Sequence, residues 1–472
     1  MENVTVINPV FNNTAWLIDA DSSDITLIDS SFTGFRRSEI WWNEDIYISN
    51  CSFNMTGMML FEATNNLTIT DSSFDLYTNA STTFFNIRFS DRCRVYNSSF
   101  SLPASTAARL GAWLTAVDFF RSNDIVFAEN DVRNAGKVFV ANGCTDVVVR
   151  DNVMANDEYV NSELQITGGS KNVLISNNTM WNLHDSIEIY DHENITIVGN
   201  HVTTDVLGFY IKPSNTSAPT EVYILNNTQI GGSVSTQITN GLVIDGNTFI
   251  DTIPIHIRNG TNTVFTGNVL HNSTILNADS VNTTINKNTV FTEPEQEWLR
   301  NWGESSTIMG SNLVHIVESD NPEITNIQLN PKNPLDNETI TIKAEVKDDT
   351  GIQNVWLQYH VNQTSWETIE MQQVSGDIYE ATIGPYHNAT EIMFKISAKD
   401  TSYNQNIGEN DNNEKYYKLQ VYVGKPKPEP APTPEPDLEP IPNNQEEIPG
   451  FLPEFLVLGI TFWLILLWIR EK

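Results

Sequence analysis

Ile195-Thr196-Ile197-Val198-Gly199-Asn200-His201-Val202 reads as a short strand. Apolar and polar residues alternate, a small polar residue ends the run, and an apolar residue follows two positions later. The same arrangement recurs as Ile25–Phe32 (ITLIDSSF), Leu67–Phe74 (LTITDSSF) and Leu242–Phe249 (LVIDGNTF). The polar end positions are Asn8, Ser30, Cys51, Ser72, Ser98, Asn130, Asn152, Asn178, Asn200, Asn227, Asn247, Asn268 and Asn288. They lie mostly about 20 to 27 residues apart, the interval of a solenoid repeat.

Many repeats carry an earlier alternating run, such as Ile187-Glu-Ile-Tyr, Phe209-Tyr-Ile-Lys and Ile255-His-Ile-Arg. Short strands joined by bends, without long helical patterns between them, predict a parallel β-helix over residues 1–292. Its coils would stack at about 4.8 Å. An Asn at each bend could pair its amide with the coils above and below, satisfying backbone groups there. The pattern resembles the right-handed β-helix superfamily, with its pectin-lyase-like folds and NosD-like repeats. That resemblance implies fold and leaves activity open, because the repeat is a packing pattern. His184–Asn200 (HDSIEIYDHENITIVGN) resembles the Asp-Gly-Ile repeat of NosD-like proteins, with Ser186 in place of Gly. His184, His192 and His201 are the copper or zinc candidates that the NosD likeness suggests, though they fall in different bends.

Interruptions carry information too. Ser101–Phe120 (SLPASTAARLGAWLTAVDFF) is longer than a repeat needs and predicts a loop or short helix forming one wall of a groove. Glu293–Trp302 (EPEQEWLRNW) opens a capping segment and connection over 293–321, with Trp298 and Trp302 expected to cover the last coil. Met1 runs almost directly into the first repeat without a signal peptide, so the reading expects a start truncated within the solenoid.

Residues 322–423 change character. About seven alternating runs separated by turn signals predict a second all-β unit, an immunoglobulin-like sandwich. Lys347–Tyr359 (KDDTGIQNVWLQY) resembles the Ig-like modules of prokaryotic surface proteins. Asp348, Asp349, Asp400 and Gly408–Asn413 (GENDNN) are candidate Ca2+ ligands. Residues 424–450 form a Pro- and Glu-rich linker, extended to roughly 80 Å as polyproline II. Residues 451–469 read as one transmembrane helix, and 470–472 as a cytoplasmic tail placed inside by Arg470 and Lys472. Pro449-Gly450-Phe451 before this apolar run resembles the sorting signals of archaeal surface proteins, which implies anchoring with the N-terminal region extracellular.

Composition supports an exterior location. The chain has 472 residues, with 26 Lys and Arg against 59 Asp and Glu, a net charge of -33. Such a surface repels a phosphate backbone, so nucleic acid is excluded as a partner. About seventeen Asn-x-Ser/Thr sequons are consistent with glycosylation. The three cysteines, Cys51, Cys93 and Cys144, have no metal-site spacing, and Cys51 and Cys93 fall at positions expected to be buried.

The repeat also serves as a ruler. Leu164 and Ile166, Ile187 and Ile189, Phe209 and Ile211, and Ile255 and Ile257 should point inward. Their neighbours then form two outward columns: Gln165, Glu188, Tyr210, His256, and Thr167, Tyr190, Lys212, Arg258. The repeat between Lys212 and Arg258 is irregular, with Gly231, Gly232 and Gln237. Flanking bends add His184, Asp185, Asp191, His192 and Asp205. Glu188, Tyr190, Tyr210, Lys212, His256 and Arg258 are therefore the candidate ligand-binding residues. Aromatic rings pack on sugar faces, while carboxylates and cations bond hydroxyls or uronates. A polysaccharide lyase would use Lys212 or Arg258 as base. A glycoside hydrolase would pair Glu188 with Asp185 or Asp205. Polygalacturonase-type Asn-Thr-Asp and Gly-His-Gly signatures are missing. The first expectation is thus a membrane-anchored surface protein that binds carbohydrate or acts as an adhesin. A lyase or hydrolase, and a purely structural envelope component, are the alternatives.

Overall fold

The computed structural model describes residues 2–12, 21–35, 38–55, 57–76, 83, 85–102, 115–190, 193–213, 219–308, 311–387 and 390–424. Among these residues there is no helix. Fourteen parallel strands form one sheet, from Glu2–Ile7 to Thr307–Ile308, and the other faces of the coils merge into a second parallel array. Strand Glu193–Val198 shows why the alternating run behaves this way. Ile195 registers with Val173 below and Val222 above, and Ile197 with Ile175 and Ile224, all facing inward. A one-residue slip would turn every one of these side chains to solvent, so the pattern itself fixes the stacking.

Inward stacks repeat at the coil spacing. Rings of Phe11, Phe32, Phe53, Phe74 and Phe100 lie nearly parallel with successive centroids 4.8, 4.7, 4.9 and 4.9 Å apart. From Phe32 to Phe100 each ring follows its predicted bend residue by two positions, and Phe11 follows Pro9 by two. At the bends, the Asn178 backbone N–H and side-chain Nδ2 both donate to Asn200 Oδ1, each at 2.9 Å, and Nδ2 also donates to the Val149 carbonyl. The same geometry runs from Asn130 through Asn288. Ser and Cys continue the column toward the N-terminus with one hydroxyl or thiol each. The residue before each ladder member adopts positive φ, as at Asp71 (52°), Asn177 (53°) and Gly199 (68°), which explains the Asp, Asn and Gly found there.

Several expectations are corrected. Ile7 pairs with Ile28, so Asn8 aligns with Asp29, and Pro9 stands at the ladder position. Asn8 has the positive φ of the preceding site and is exposed. The solenoid does not end at residue 292. Asn312 Oδ1 accepts from the Asn288 backbone and side chain, and strand Leu313–Ile316 pairs with Thr289–Thr292. Glu293–Trp302 is therefore no amphipathic lid: Leu299–Glu304 is a strand in register with Ile275–Val281. Leu299 registers with inward Ile275, and it and Trp298, both partly buried, pack on the core, while Trp302, aligned with outward Ala278, is 62% exposed. A second ladder joins Ser22 to Asn43, Thr64 to Ser90, Ser90 to Ser122 and Cys144 to Ser170. All three cysteines are buried free thiols. Burial pushes Cys93 up to about 12 and Cys144 to about 11, far from the reactive thiolate range.

After the solenoid come two antiparallel sheets. Glu323–Asn330, Ile340–Lys347, Ile378–Ile383 and Gln372–Ser375 form one. Glu367–Glu370, Ile352–Val361, Thr390–Asp400, Ile407–Asn410 and Tyr417–Val421 form the other. Ile340, Ile342, Leu357, Ile392, Phe394 and Ile396 share one core between them. Among the described residues this makes nine strands where the alternation suggested about seven. Of the expected projection over Ser101–Phe120, Val117–Phe120 is instead a coil strand paired with Phe85–Arg88; residues 103–114, the linker beyond residue 424, the membrane segment and the tail lie outside the described residues. Among those described, no helix is long and apolar enough to cross a membrane.

Candidate functional site

The outward columns follow the predicted register. Leu164, Ile166, Ile187, Ile189, Phe209, Ile211, Ile255 and Ile257 are all buried. Gln165 registers with Glu188, Glu188 with Tyr210, Tyr210 with Ser235, and Ser235 with His256. Tyr190 registers with Lys212, and Gln237 with Arg258.

Four of the predicted residues touch. Glu188 faces outward yet is only 4% exposed, because its neighbours close over it. Tyr190 Oη donates to Glu188 Oε1, and Gln165 Nε2 donates to Oε2 at 2.8 Å. Lys212 Nζ donates to Tyr210 Oη at 2.6 Å. It also lies 4.8 Å from the Tyr190 ring centroid and 4.1 Å from that of Tyr210, a cation held between two π faces. The rings themselves meet edge-on at 6.4 Å. Burial, then the Glu188 carboxylate, push the Tyr190 phenol up, so it stays a donor at any ordinary pH.

The structure adds three residues that periodicity did not single out. Glu163 lies beside Glu188, and Lys137 Nζ bridges the Glu163 carboxylate and Gln165 Oε1, both at 2.8 Å. Irregular register brings them in. Lys137 and Glu163 pair, but Phe139 pairs with Leu164, leaving Val138 as an extra residue; Ser186 is likewise extra between Asp185 and Ile187. Such bulges re-aim side chains beside a strand. Burial pushes the Glu163 carboxyl up to about 7; Lys137 opposes this, and Glu188 adds to it. Asp118 stands two positions below Gln165 in the same column, and its burial pushes it up to about 6 against the pull of Arg88 and Lys137. Asp185, raised chiefly by burial, is held by His184 Nδ1 at 2.9 Å. The signal available in the sequence was two carboxylates, Asp118 and Glu163, and a lysine, Lys137, within neighbouring alternating runs.

Glu163, Asp185 and Glu188 each place an oxygen within 4.8 Å of the others. Their oxygens already accept from Lys137, His184, Tyr190 and Gln165. The arrangement is therefore a hydrogen-bonded acid array more than a metal cage. It pairs a protonatable carboxyl with a carboxylate acceptor, beside an ordered cation.

Other candidates stand apart. His256 and Arg258 belong to a coil two steps beyond Tyr210 and Lys212, about 10 Å along the stack. Burial and Arg258 both lower the His256 imidazole. Asp205 is exposed on a bend outside the carboxylate group. His201 is exposed, and Asp191 and His192 lie outside the described residues, so no shared histidine site forms among those described. At Gly208, which occupies the bulge position of Ser186 one coil on, an added Cβ would fall 2.1 Å from Gln229 Oε1; this core amide demands Gly there.

A family model described as right handed beta helix region matches residues 162–329. The repeat region is a right-handed β-helix. A search among curated proteins returned no match. Among solved structures, the chain is similar to DFA-IIIase from Arthrobacter chlorophenolicus at 10% identity and TM-score 0.31, over 60% of this chain and 75% of that one. It is similar to the tailspike protein of E. coli bacteriophage HK620, solved with a hexasaccharide, at 9% identity and TM-score 0.32, over 83% and 86%. It is also similar to a periplasmic alginate epimerase at 10% identity and TM-score 0.27, over 67% and 77%.

Proposed function

We propose that the outward face centred on Glu188 is a carbohydrate-binding surface. The observation that carries this reading is the nearly complete burial of a carboxylate on the outside of a solenoid. A solvated strand face needs polar residues, but it does not need Glu163, Glu188 and Asp185 crowded together with Lys137, Tyr190 and Lys212. Perturbed groups in close array are what a binding or catalytic site requires and a spacer does not. A saccharide offers hydroxyls for the carboxylates, Gln165 and the lysines, and a uronate would find Lys137 and Lys212. In the same reading the antiparallel unit is an immunoglobulin-like spacer, and residues 424–472 tether the solenoid to a membrane, with the glycan-binding part outside the cell.

A second reading, carbohydrate processing, rests on Glu163. A carboxyl pushed up to about 7 can donate or accept a proton near neutral pH, as general acid–base chemistry requires. Glu188 would then be its conjugate partner, and Lys212 with Tyr210 the pair facing a uronate.

Glycan-array binding by the full chain tests the first reading. Glu188→Gln, Tyr210→Ala and Lys212→Met should each lose binding at least about tenfold, as loss of a contact worth about 1.4 kcal/mol would give. Equal binding by all three overturns it. Incubation with neutral and uronate polysaccharides, followed by reducing ends and unsaturated-product absorbance, tests the second. Product formation that Glu163→Gln and Glu188→Gln abolish supports processing, and no product from the wild type removes it.

A further inference from the structure

A second group of carboxylates, outside the proposed glycan face, lies where the solenoid meets the antiparallel unit. Glu318 follows the last coil strand, Leu313–Ile316. Asp348 and Asp349 lie in the loop after Ile340–Lys347, and Asp400 ends strand Thr390–Asp400. Glu318, Asp348 and Asp349 each bring an oxygen within 4.8 Å of the others. Asp400 is within hydrogen-bond reach of the Glu318 carboxyl. It is fully buried, and its Oδ2 has no hydrogen-bond partner, while Oδ1 accepts from Ser402 N–H at 3.0 Å and Ser402 Oγ at 2.8 Å.

An orphaned, fully buried carboxylate oxygen beside the Glu318 carboxyl, itself crowded by Asp348 and Asp349, is costly unless positive charge is supplied. Glu318 accepts from Asp320 N–H and Asn406 Nδ2, and Asp348 from Thr350, but these donors are neutral: unlike at Glu163, among the described residues no Lys, Arg or His pairs with any of the four, and Lys347 nearby is engaged by Glu345 and Asp377. Burial first, and Asp400 next, push the Glu318 carboxyl up. The surrounding backbone is fixed. Asn404 and Asn406 amides donate to the Glu318 carbonyl at 2.7 and 2.9 Å, and Thr401 N–H donates to the Gly351 carbonyl at 2.9 Å. Glu318, Asp348 and Asp349 are thus held with their oxygens converging, and Asp400 stands against the Glu318 carboxyl.

We propose that Glu318, Asp348, Asp349 and Asp400 form a Ca2+ site that locks the last coil of the solenoid to the antiparallel unit. The donor set is all oxygen, irregular in spacing and drawn from separate segments, which suits the adaptable six- to eight-fold shell of Ca2+ better than the rigid octahedron of Mg2+. Direct joint contacts agree with a load at this point: Tyr403 N–H donates to the Ile316 carbonyl at 2.7 Å, and its ring packs against Phe291 and His315. Three of the four ligands were Ca2+ candidates from sequence, and Glu318 was not. The Gly408–Asn413 stretch is occupied elsewhere, with Asn410 Nδ2 donating to the Ile324 carbonyl.

The test uses the purified full chain stripped with chelator, then titrated calorimetrically with CaCl2 or MgCl2 and melted in each state. Saturating Ca2+ should give binding heat and raise the melting midpoint by roughly 4 °C or more, with a smaller Mg2+ effect. Asp400→Asn should abolish the response. If that variant fails to fold, the exposed Asp349→Asn should still weaken Ca2+ binding at least about tenfold. Absence of heat and of any shift in the wild type overturns the proposal. So does a midpoint that rises on acidification but ignores Ca2+, because Glu318 and Asp400 would then share a proton instead of a metal.

Discussion

Two polar arrays are buried on this solenoid, and they follow opposite rules. At the bends, each amide from Asn130 to Asn288 meets an identical amide one coil away, every donor has an acceptor, and no charge is present. On the outward face around Glu188, unlike residues meet once, carboxylates crowd one another, and the pattern does not repeat. Repetition is what a stack needs from its polar groups, since a translated neighbour always supplies the missing partner. A buried charged array without that periodicity contributes nothing the stack requires.

The largest expected effect tests the ladder. Asn178→Ala removes the acceptor for the Asn152 N–H and Nδ2 and the donor to the Val149 carbonyl. With two or three buried groups orphaned, chemical unfolding should show a loss of about 3 kcal/mol or more. Glycan binding by the folded fraction should be unchanged. A loss below about 1 kcal/mol would break the comparison, because the ladder would then be no more essential than an exposed pair such as Asn282 with Asn262.

Glu188→Gln should do the reverse. Removing one of several neighbouring buried carboxylates relieves repulsion, so unfolding should change by no more than about 1 kcal/mol. Binding or turnover should fall at least about tenfold. A variant that unfolds as readily as Asn178→Ala would make the two arrays equivalent and place Glu188 among the packing residues.

How much of this was legible follows from the same contrast. Ile187, Ile189, Phe209 and Ile211 could be assigned inward, and Glu188, Tyr190, Tyr210 and Lys212 outward, because strand alternation is strict within one run. Lys137 and Glu163 were missed because Val138 and Ser186 shift the register between coils, which no count within a single run reveals. The second ladder was missed because Thr64, Ser90, Ser122 and Ser170 are small residues of kinds found everywhere in this chain. The repeat between Lys212 and Arg258 was legible, but the register of its polar strand, Ser233–Gln237, emerged only from its pairing on both sides. Asn8 was placed one residue early because Asn suits both the ladder position and the positive-φ position before it.

Acidity provides a third contrast of moderate size. The ladder has no titratable group in its amide portion, whereas Glu163 is pushed from 4.5 up to about 7 and Asp118 from 3.8 up to about 6, both by burial. An acid raised on folding binds more protons folded than unfolded between those values. Its stabilising contribution is complete below the unfolded value and is lost as pH rises through the folded one. Wild-type stability should therefore fall from about pH 4 to about pH 7, and the double variant Glu163→Gln, Asp118→Asn should flatten that slope. An unchanged slope in melts across this range would show that the array does not hold its protons.

The smallest expected effect marks the edge of the face. Arg258 is exposed, and its coil is separated from that of Lys212 by the one carrying Ser235 and Gln237. Arg258 lies two coils from Lys212 and three coils, about 14 Å, from Glu188 along the stack, so a ligand centred on Glu188 reaches it only if it spans further sugar units. Arg258→Ala should then weaken binding of a short oligosaccharide less than about threefold, under 0.7 kcal/mol by the affinity relation. The same substitution should matter more as the oligosaccharide lengthens, if the chain runs along the solenoid axis. Affinity measured against oligosaccharide length separates the directions: a length-dependent loss sets the glycan parallel to the stack, and a constant small loss sets it along the strands, crossing from the Glu188 and Tyr210 column to the Tyr190 and Lys212 column.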